Sequence, residues 1–264
     1  MKIKFNLFHK SSSNDAVADG MLLHKKLSFA ATEAYKLLRT NLLFTLPDEK
    51  VCRVIGVTSS LRGEGKSTTS INLSYALAET GKRVLLVDAD LRLPSIAKKL
   101  EMEKSPGLSH VVVGVCEAKD AIRASGVVDN WSVLPSGYIP PNPSELLGSS
   151  QMQNFINEVK KNYDFIIVDL PPVNIVSDAL VASPFLDGMV VVVRENYSAR
   201  RALNNCTRLL ALSNVKLLGF VMTVVDSDTL GYRYSKYRRN KYYKNYRGYE
   251  KSSRKEGGAN STNG

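Results

Sequence analysis

The eight residues from Ser60 to Ser67 have the spacing of a phosphate-binding loop, with Ser60 at the position usually held by the first glycine. In such a loop, successive backbone N–H groups surround the β-phosphate of a nucleotide. Lys66 would reach the β- and γ-phosphate oxygens, and the Ser67 hydroxyl would bind Mg²⁺. The residues expected to contact the nucleotide are Ser60, Leu61, Arg62, Gly63, Glu64, Gly65, Lys66, Ser67 and Thr68. The alternative is a glycine-rich turn that contains Lys and Ser by chance.

Two aspartates, Asp88 and Asp90, follow a continuous apolar run at alternate positions. Alternation along a strand that ends at Asp88 places both carboxylates at the carboxyl end of the sheet, where open α/β sheets bind ligands. One carboxylate can help to hold Mg²⁺, while the other can accept a proton from an attacking hydroxyl. Capping of a helix is the alternative role for either residue.

A third carboxylate, Asp169, ends the apolar run 165–168 and is followed by Pro171 and Pro172, which stop the strand. This pattern is typical of the acidic residue that holds the metal of a nucleotide site directly or through water. The three motifs together favour a nucleotide site over the chance turn. Other charged residues near strand or loop ends are as consistent with a cap or a solvated charge as with a role in the site: Asp178, Arg194 and Asp226.

These motifs require a particular set of elements to position them. Short apolar runs at 52–58, 83–88, 131–134, 165–169, 189–193 and 217–225 alternate with helical patterns at 28–47, 67–80, 143–162 and 198–213. Runs that are apolar on successive residues indicate strands buried on both faces. The sequence therefore predicts an α/β fold of the P-loop NTPase type, with a mostly parallel β-sheet flanked by helices on both faces.

The 264 residues, 44% of them hydrophobic, suit one folded domain with tails. We expect a flexible lead over residues 1–26, a P-loop domain over 27–228 and a basic, mobile tail over 229–264. Neither a signal peptide nor an apolar run of about 18 residues is visible, which predicts a soluble, intracellular protein. Three scattered cysteines, Cys52, Cys116 and Cys206, are expected to be reduced and mostly buried.

The net charge of +11 is concentrated near the carboxyl terminus. Residues 232–255 contain ten Lys or Arg and one acid, a charge of +9, which leaves +2 for the rest. The same segment holds seven of the twelve tyrosines: Tyr232, Tyr234, Tyr237, Tyr242, Tyr243, Tyr246 and Tyr249. A flexible tail could present these hydroxyls to an active site at high local concentration. Basic residues mixed with aromatics are also typical of segments that bind single-stranded nucleic acid or anionic lipid.

The three motifs and the tyrosine cluster, in this order, resemble the bacterial tyrosine kinases of capsule and exopolysaccharide gene clusters, over about residues 28–249. The resemblance implies that ATP and Mg²⁺ are used, with Lys66 and Ser67 on the phosphates and the metal. It implies Asp88 as the base, with Asp90 and Asp169 around the metal, and tail tyrosines as sites of autophosphorylation.

The resemblance also implies a ring of subunits, closed through a Glu and two Arg on the helix before the first strand. Glu33, Lys36 and Arg39 have that spacing, but Lys36 cannot make the forked contact of an arginine. Further implied partners are a membrane-anchored chain-length or activator protein, which would hold the chain at the inner face of the cell membrane, and a cognate phosphotyrosine phosphatase. Nucleic acid is not an expected partner.

Two other functions share this fold and its aspartate motifs. One is an ATPase of the ParA or MinD type, acting in DNA partition or division-site positioning. Such proteins carry a signature lysine at the position of Leu61 and lack a tyrosine cluster, and both observations count against this alternative. The other is a regulator that binds nucleotide without catalysis. Leu61 and Arg62 also differ from the Ala or Glu and the Pro that are usual in similar kinases.

Overall fold

A single β-sheet of eight strands forms the centre of the molecule in the computed structural model, which describes residues 4–8, 22, 27–46 and 51–225. The strands are β1 (Lys4–Phe8), β2 (Arg53–Ser59), β3 (Val84–Asp88), β4 (Arg123–Ala124), β5 (Trp131–Leu134), β6 (Phe165–Asp169), β7 (Gly188–Arg194) and β8 (Leu217–Val225). Their order across the sheet is β1-β8-β7-β2-β6-β3-β5-β4. Every neighbouring pair is parallel except β4 with β5. The predicted mostly parallel α/β sheet is confirmed.

The central strands are buried on both faces, and their side chains alternate between two apolar cores. In β6, Ile166 and Val168 face one core, whereas Phe165 and Ile167 face the other. The strands β3 and β7 alternate in the same way. This two-sided burial explains why the runs are apolar at successive positions rather than at every second one.

Helices cover both faces of the sheet. They are α1 (Phe29–Thr45), α2 (Lys66–Ala78), α3 (Ile96–Lys99), α4 (Leu108–Val112), α5 (Ala118–Ala121), α6 (Pro143–Leu147), α7 (Ser150–Val159), α8 (Asp178–Val181) and α9 (Arg200–Leu212), with a 3₁₀ turn at Ser183–Phe185. The buried residues of α1 and α2 belong to one core, and those of α4, α7 and α9 belong to the other. The predicted helices on both faces are thereby confirmed.

Two elements differ from the sequence-based expectation. The strand β1 lies within the expected flexible lead and pairs with β8, with Lys4 opposite Phe220. The single helix expected over 143–162 is two helices, because α6 ends at Leu147, just before Gly148, and α7 begins after Ser149. The Ser149 hydroxyl accepts a hydrogen bond from the Met152 N–H at 3.1 Å, which caps the new helix.

The cysteines agree with the expectation. All three are free, and Cys52 and Cys206 are buried. Burial raises the pKa of the Cys206 thiol to about 12 and that of Cys52 to about 11. Both side chains therefore stay protonated near neutral pH and act as small apolar groups of the core.

Candidate active site

The phosphate-binding loop joins the end of β2 to the start of α2. Gly65 lies immediately before the helix with a φ of 93°, a conformation that glycine adopts without strain. No described side chain caps α2, so the first N–H groups of this helix stay open to an anion. The strand, loop and helix that a phosphate site requires are all present.

Glu64 supports this loop from behind. Its carboxylate is buried and accepts hydrogen bonds from the Ser60 hydroxyl and the Leu61 N–H, both at 2.8 Å, and from the Ser198 hydroxyl. The Glu64 carbonyl accepts a bond from the Thr223 hydroxyl at 2.7 Å. The loop is therefore fastened to residues that follow β7 and to the end of β8.

Lys66 lies among the three aspartates. Its ammonium nitrogen is 2.7 Å from Asp90 Oδ2 and 3.5 Å from Asp169 Oδ2, and it donates to the Ser67 hydroxyl at 3.3 Å. Burial lowers the pKa of Lys66, but the carboxylates of Asp169 and Asp90 outweigh this effect and the net change is a rise. Lys66 therefore keeps its charge in a largely buried position.

Asp88 and Asp169 lie side by side at the carboxyl ends of β3 and β6, since the register pairs these two residues directly. Asp88 is fully buried; its Oδ2 accepts the Ile96 N–H at 3.1 Å, and its Oδ1 has no partner among the described residues. Burial and the nearby Asp169 charge raise the pKa of Asp88 to about 8. Such a carboxyl can exchange a proton near neutral pH.

Asp169 is held more tightly than Asp88. Its Oδ1 accepts the Ser70 hydroxyl at 3.0 Å, and its Oδ2 faces Lys66. Burial raises the pKa of Asp169, and the Lys66 charge opposes that rise. Asp90 is anchored differently, since its Oδ1 accepts the Leu93 N–H at 3.0 Å.

A cleft of about 490 Å³ opens in front of these groups. It is lined by Arg62, Gly63, Gly65, Lys66, Ser67, Thr68, Asp90, Arg92, Leu93, Lys99, Pro171, Pro172, Ile175, Val176 and Arg194. Seven of the residues expected at the site therefore share one cleft: Arg62, Gly63, Gly65, Lys66, Ser67, Thr68 and Asp90. Arg62 is one of the residues that form this wall.

Five expected site residues do not line the cleft. Ser60, Leu61 and Glu64 form the hydrogen-bonded support behind the loop. Asp88 and Asp169 are fully buried; Asp169 contacts the cleft residue Lys66, and Asp88 lies beside Asp169. Some residues of the loop therefore line the cleft, and the others are hydrogen-bonded on the side away from it.

Arg92 is a cleft residue that the motifs did not single out. Its guanidinium forms a forked contact with the buried carboxylate of Asp178, at 2.9 and 3.0 Å, and donates to the Ser144 hydroxyl at 3.0 Å. The Ser144 hydroxyl in turn donates to Asp178. This network joins the loop after Asp90 to α6 and α8. The only sequence signal was the position of Arg92 two residues after Asp90.

Arg194, the last residue of β7, also lines the cleft. It donates to the Gly63 carbonyl at 3.2 Å, and its guanidinium stacks over the Tyr197 ring at 5.2 Å from the centroid. The sequence marked Arg194 only as a charge near a strand end. Its contact with the loop comes from the sheet order, in which β7 lies beside β2.

The charged residues of α1 lie away from the cleft. The Lys36 ammonium pairs with Glu33 at 2.8 Å on a half-exposed face, and Arg39 donates to the Ala76 carbonyl of α2 at 2.7 Å. The seven tail tyrosines and Asp226 lie outside the described residues. The ring and the phosphorylation sites therefore stay predictions.

The donor set at the cleft fits Mg²⁺ only if phosphate oxygens of a nucleotide supply part of its coordination. Within residues 4–8, 22, 27–46 and 51–225, no group of three or more His, Cys, Asp or Glu side chains is arranged to hold a metal ion alone. Mg²⁺ is usually held by one or two carboxylates together with phosphate oxygens and water. The Ser67 hydroxyl, Asp90 and Asp169 suit that mode, because Lys66 already balances the two carboxylates.

Comparison with known proteins adds the family context. A family model described as an AAA domain matches residues 52–217. The tyrosine-protein kinase YwqD of Bacillus subtilis is 38% identical over 72% of this chain and 80% of its own length. The putative tyrosine-protein kinase CapB of Staphylococcus aureus is 30% identical over 79% of this chain and 90% of its own length.

Solved structures, among them a tyrosine kinase domain, are also similar to this chain. The chimerical protein CapA2B2 superposes with a TM-score of 0.76 at 31% identity, covering 84% of this chain and 94% of that one. The kinase domain of the Escherichia coli tyrosine kinase ETK gives 0.71 at 29% identity, covering 74% and 76%. The septum site-determining protein MinD of Pyrococcus horikoshii, complexed with Mg-ADP, gives 0.55 at 27% identity, covering 65% and 70%.

The comparisons therefore favour the kinases over the partition and division ATPases. The similarity to MinD shows that the two chains share a fold. No helix among the described residues is long and apolar enough to cross a membrane.

Proposed function

This chain belongs to the bacterial protein-tyrosine kinases, and from that premise we propose that it transfers the γ-phosphate of ATP to tyrosine hydroxyls. The principal acceptors are those in its own tail, residues 229–264. Through this reaction it regulates the synthesis and export of a capsule or exopolysaccharide. The observation that carries the proposal is the cluster in which the Lys66 ammonium lies between Asp90 and Asp169, beside the buried Asp88.

Asp88 is the proton acceptor in this proposal. The tyrosine oxygen forms a bond to the γ-phosphorus, the bond from that phosphorus to the bridging oxygen of ADP breaks, and the phenolic proton passes to the Asp88 carboxylate. The unpartnered Oδ1 of Asp88 and its raised pKa support this role. A carboxyl that is partly ionised near neutral pH can take a proton and release it between turnovers.

The remaining groups bind and orient the phosphates. Lys66 and the open N–H groups of α2 neutralise their charge, and Ser67, Asp90 and Asp169 would hold Mg²⁺. When bound, Mg²⁺ supplies further neutralisation of the phosphate oxygens. Arg62 and Arg194, at the cleft wall, add positive charge there.

The partners are part of the proposal. A membrane-anchored activator or chain-length protein binds the chain at the inner face of the cell membrane, and a phosphotyrosine phosphatase reverses the reaction. Copies of the chain associate in a ring through Glu33, Lys36 and Arg39. The half-exposed position of Glu33 and Lys36 supports a role in contacts between subunits.

Mapping of phosphotyrosine by mass spectrometry tests the kinase assignment. The purified full chain is incubated with Mg-ATP, with and without an activator fragment. We expect phosphate on Tyr232, Tyr234, Tyr237, Tyr242, Tyr243, Tyr246 and Tyr249. Lys66→Met should abolish the signal, because the variant loses the charge that binds the phosphates.

Lys161→Met is the matched control, since Lys161 is exposed in the turn after α7 and lies outside the cleft. It should phosphorylate like the wild type. Absence of phosphotyrosine from the wild-type chain under both conditions would overturn the proposal, as would an equal signal from Lys66→Met.

A further inference from the structure

The outer rim of the cleft carries aliphatic side chains that a triphosphate does not need. Leu93 is 52% exposed and Ile175 is 47% exposed, and both line the cleft together with Pro172 and Val176. We call these four residues the aliphatic rim. Phosphates are bound by N–H groups, cations and hydroxyls, all of which the loop and Lys66 already provide.

The aliphatic rim is attached to the acidic groups of the site. The Leu93 N–H donates to Asp90 Oδ1 at 3.0 Å, and Ile175 lies in the turn after Asp169, with its N–H bonded to the Pro172 carbonyl at 3.0 Å. The rim residues therefore lie on the two loops that follow Asp90 and Asp169. Apolar surface of this kind, converging at one mouth, marks a binding site more than a scatter of single side chains does.

We propose that the aliphatic rim is the subsite for the aromatic ring of the acceptor, a tyrosine of the C-terminal tail. This inference rests on the proposed function and names the feature that selects tyrosine at the site. A phenol ring offers a large apolar surface that can cover Leu93 and Ile175 while its hydroxyl extends toward the acids. A serine or threonine side chain has too little apolar surface to do the same.

The position where the described chain ends supports the tail as occupant. The strand β8 ends at Val225, and its Thr223 hydroxyl bonds to Glu64 in the phosphate loop. The strand β8 therefore ends close to the phosphate-binding loop. Tyr232 follows Val225 by seven residues, a span of at most about 25 Å in extended chain, and the other six tyrosines lie within the next 17 residues.

Peptide kinetics test the subsite. The acceptor peptide is residues 235–241, whose only tyrosine is Tyr237, and it is compared with versions carrying Tyr237→Phe and Tyr237→Ser. With the full wild-type chain and saturating Mg-ATP, the tyrosine peptide should be phosphorylated and the serine peptide should not. The phenylalanine peptide should inhibit competitively, because its ring binds the rim without a hydroxyl to react.

Leu93→Ser with Ile175→Ser replaces the two exposed members of the aliphatic rim. We expect the KM for the tyrosine peptide and the inhibition constant of the phenylalanine peptide to rise about tenfold, with little change in kcat. Affinity for a fluorescent ATP analogue should stay within about twofold, which also reports that the variant is folded. Leu212→Ser is the matched control, since Leu212 is 72% exposed on α9, outside the cleft.

The outcomes separate the two proposals. An active wild type with peptide constants unaltered by the double substitution overturns the aliphatic rim and leaves the kinase assignment intact. Loss of ATP-analogue affinity in parallel with the peptide constants shows that the rim serves the nucleotide, and also overturns the inference. A wild type that phosphorylates no tyrosine overturns both. If the double variant fails to fold, Leu93→Ala and Ile175→Ala are measured singly by direct binding of the phenylalanine peptide.

Discussion

At the scale of single residues, Asp88 combines complete burial with a pKa of about 8. As a proton acceptor it must be ionised, so kcat/KM should rise about tenfold per pH unit below pH 7 and level off above about pH 8. Asp88→Asn should lower kcat by about 10² to 10⁴ and remove this pH dependence. Rates of phosphotyrosine formation between pH 6 and 9 provide the measurement.

The same shift has a consequence for stability. A carboxyl whose pKa is higher in the folded than in the unfolded chain destabilises the folded state increasingly from about pH 4 to about pH 8. Asp88→Asn should therefore raise the melting temperature more at pH 8 than at pH 5. Asp129→Asn, at an exposed aspartate, serves as the control and should show no such difference.

For the catalytic role, a wild-type rate of phosphotyrosine formation that is independent of pH would contradict the assignment of Asp88 as the proton acceptor.

Motif spacing alone was enough to place the residues whose positions depend only on the loop and the strand end that carry them. Lys66, Ser67 and Asp90 could be placed because the loop and the strand end fix their directions. Glu64 could not, since the burial of its carboxylate depends in part on a bond from Ser198, 134 residues further along the chain. Arg92 was missed for a similar reason, because its partner Asp178 lies 86 residues away.

At the scale of elements, Gly148 separates α6 from α7, and a substitution there distinguishes the structure from the sequence-based expectation. In one continuous helix, Gly148→Ala should stabilise the protein by about 1 kcal/mol, because alanine is the better helix former. In the structure a Cβ at this position would lie 2.6 Å from Val181 Cγ1. We therefore expect Gly148→Ala to destabilise the protein by about 1–3 kcal/mol, as measured by urea unfolding.

Ser150→Ala, at the exposed first residue of α7, is the companion variant and should change the unfolding free energy by less than about 0.5 kcal/mol. A stabilising effect of Gly148→Ala would show that α6 and α7 are continuous in solution. The sequence did contain the signal for the break, a glycine followed by a capping serine, but the apolar periodicity on both sides outweighed it. The central strands were easier to predict, since burial on both faces leaves an unbroken apolar run.

The strand β1, unlike the central strands, could not be predicted from its own sequence. Its five residues, Lys4–Phe8, form a strand only through pairing with β8, more than 200 residues away. No local pattern in so short a segment separates such an edge strand from an irregular lead. Long-range pairing of this kind lies beyond what a single sequence can indicate.

At the scale of the whole molecule, charge is divided between a nearly neutral domain and a tail segment of +9. Each phosphotyrosine adds about −1.5 to −2 charges, so about five phosphates would cancel the charge of the tail. We predict that phosphorylation loosens the ring of subunits. Sedimentation of phosphorylated and unphosphorylated full chain should show smaller oligomers after phosphorylation.

A variant with phenylalanine at all seven tail tyrosines is the control, since it keeps the aromatic rings and cannot be phosphorylated there. Its oligomers should be unaffected by Mg-ATP treatment. Identical oligomers of the wild type before and after phosphorylation would exclude the switch.

The bond between Thr223 and Glu64 also sets a limit on how the chain can be shortened. Thr223 lies two residues before the end of β8, and its hydroxyl is one of the supports of the phosphate-binding loop. A fragment that stops ahead of this threonine would lose both the last part of β8 and a support of the phosphate-binding loop. The smallest active fragment must therefore extend to the very end of the sheet, and removal of the tyrosine segment is compatible with ATP binding only when the cut falls after Val225.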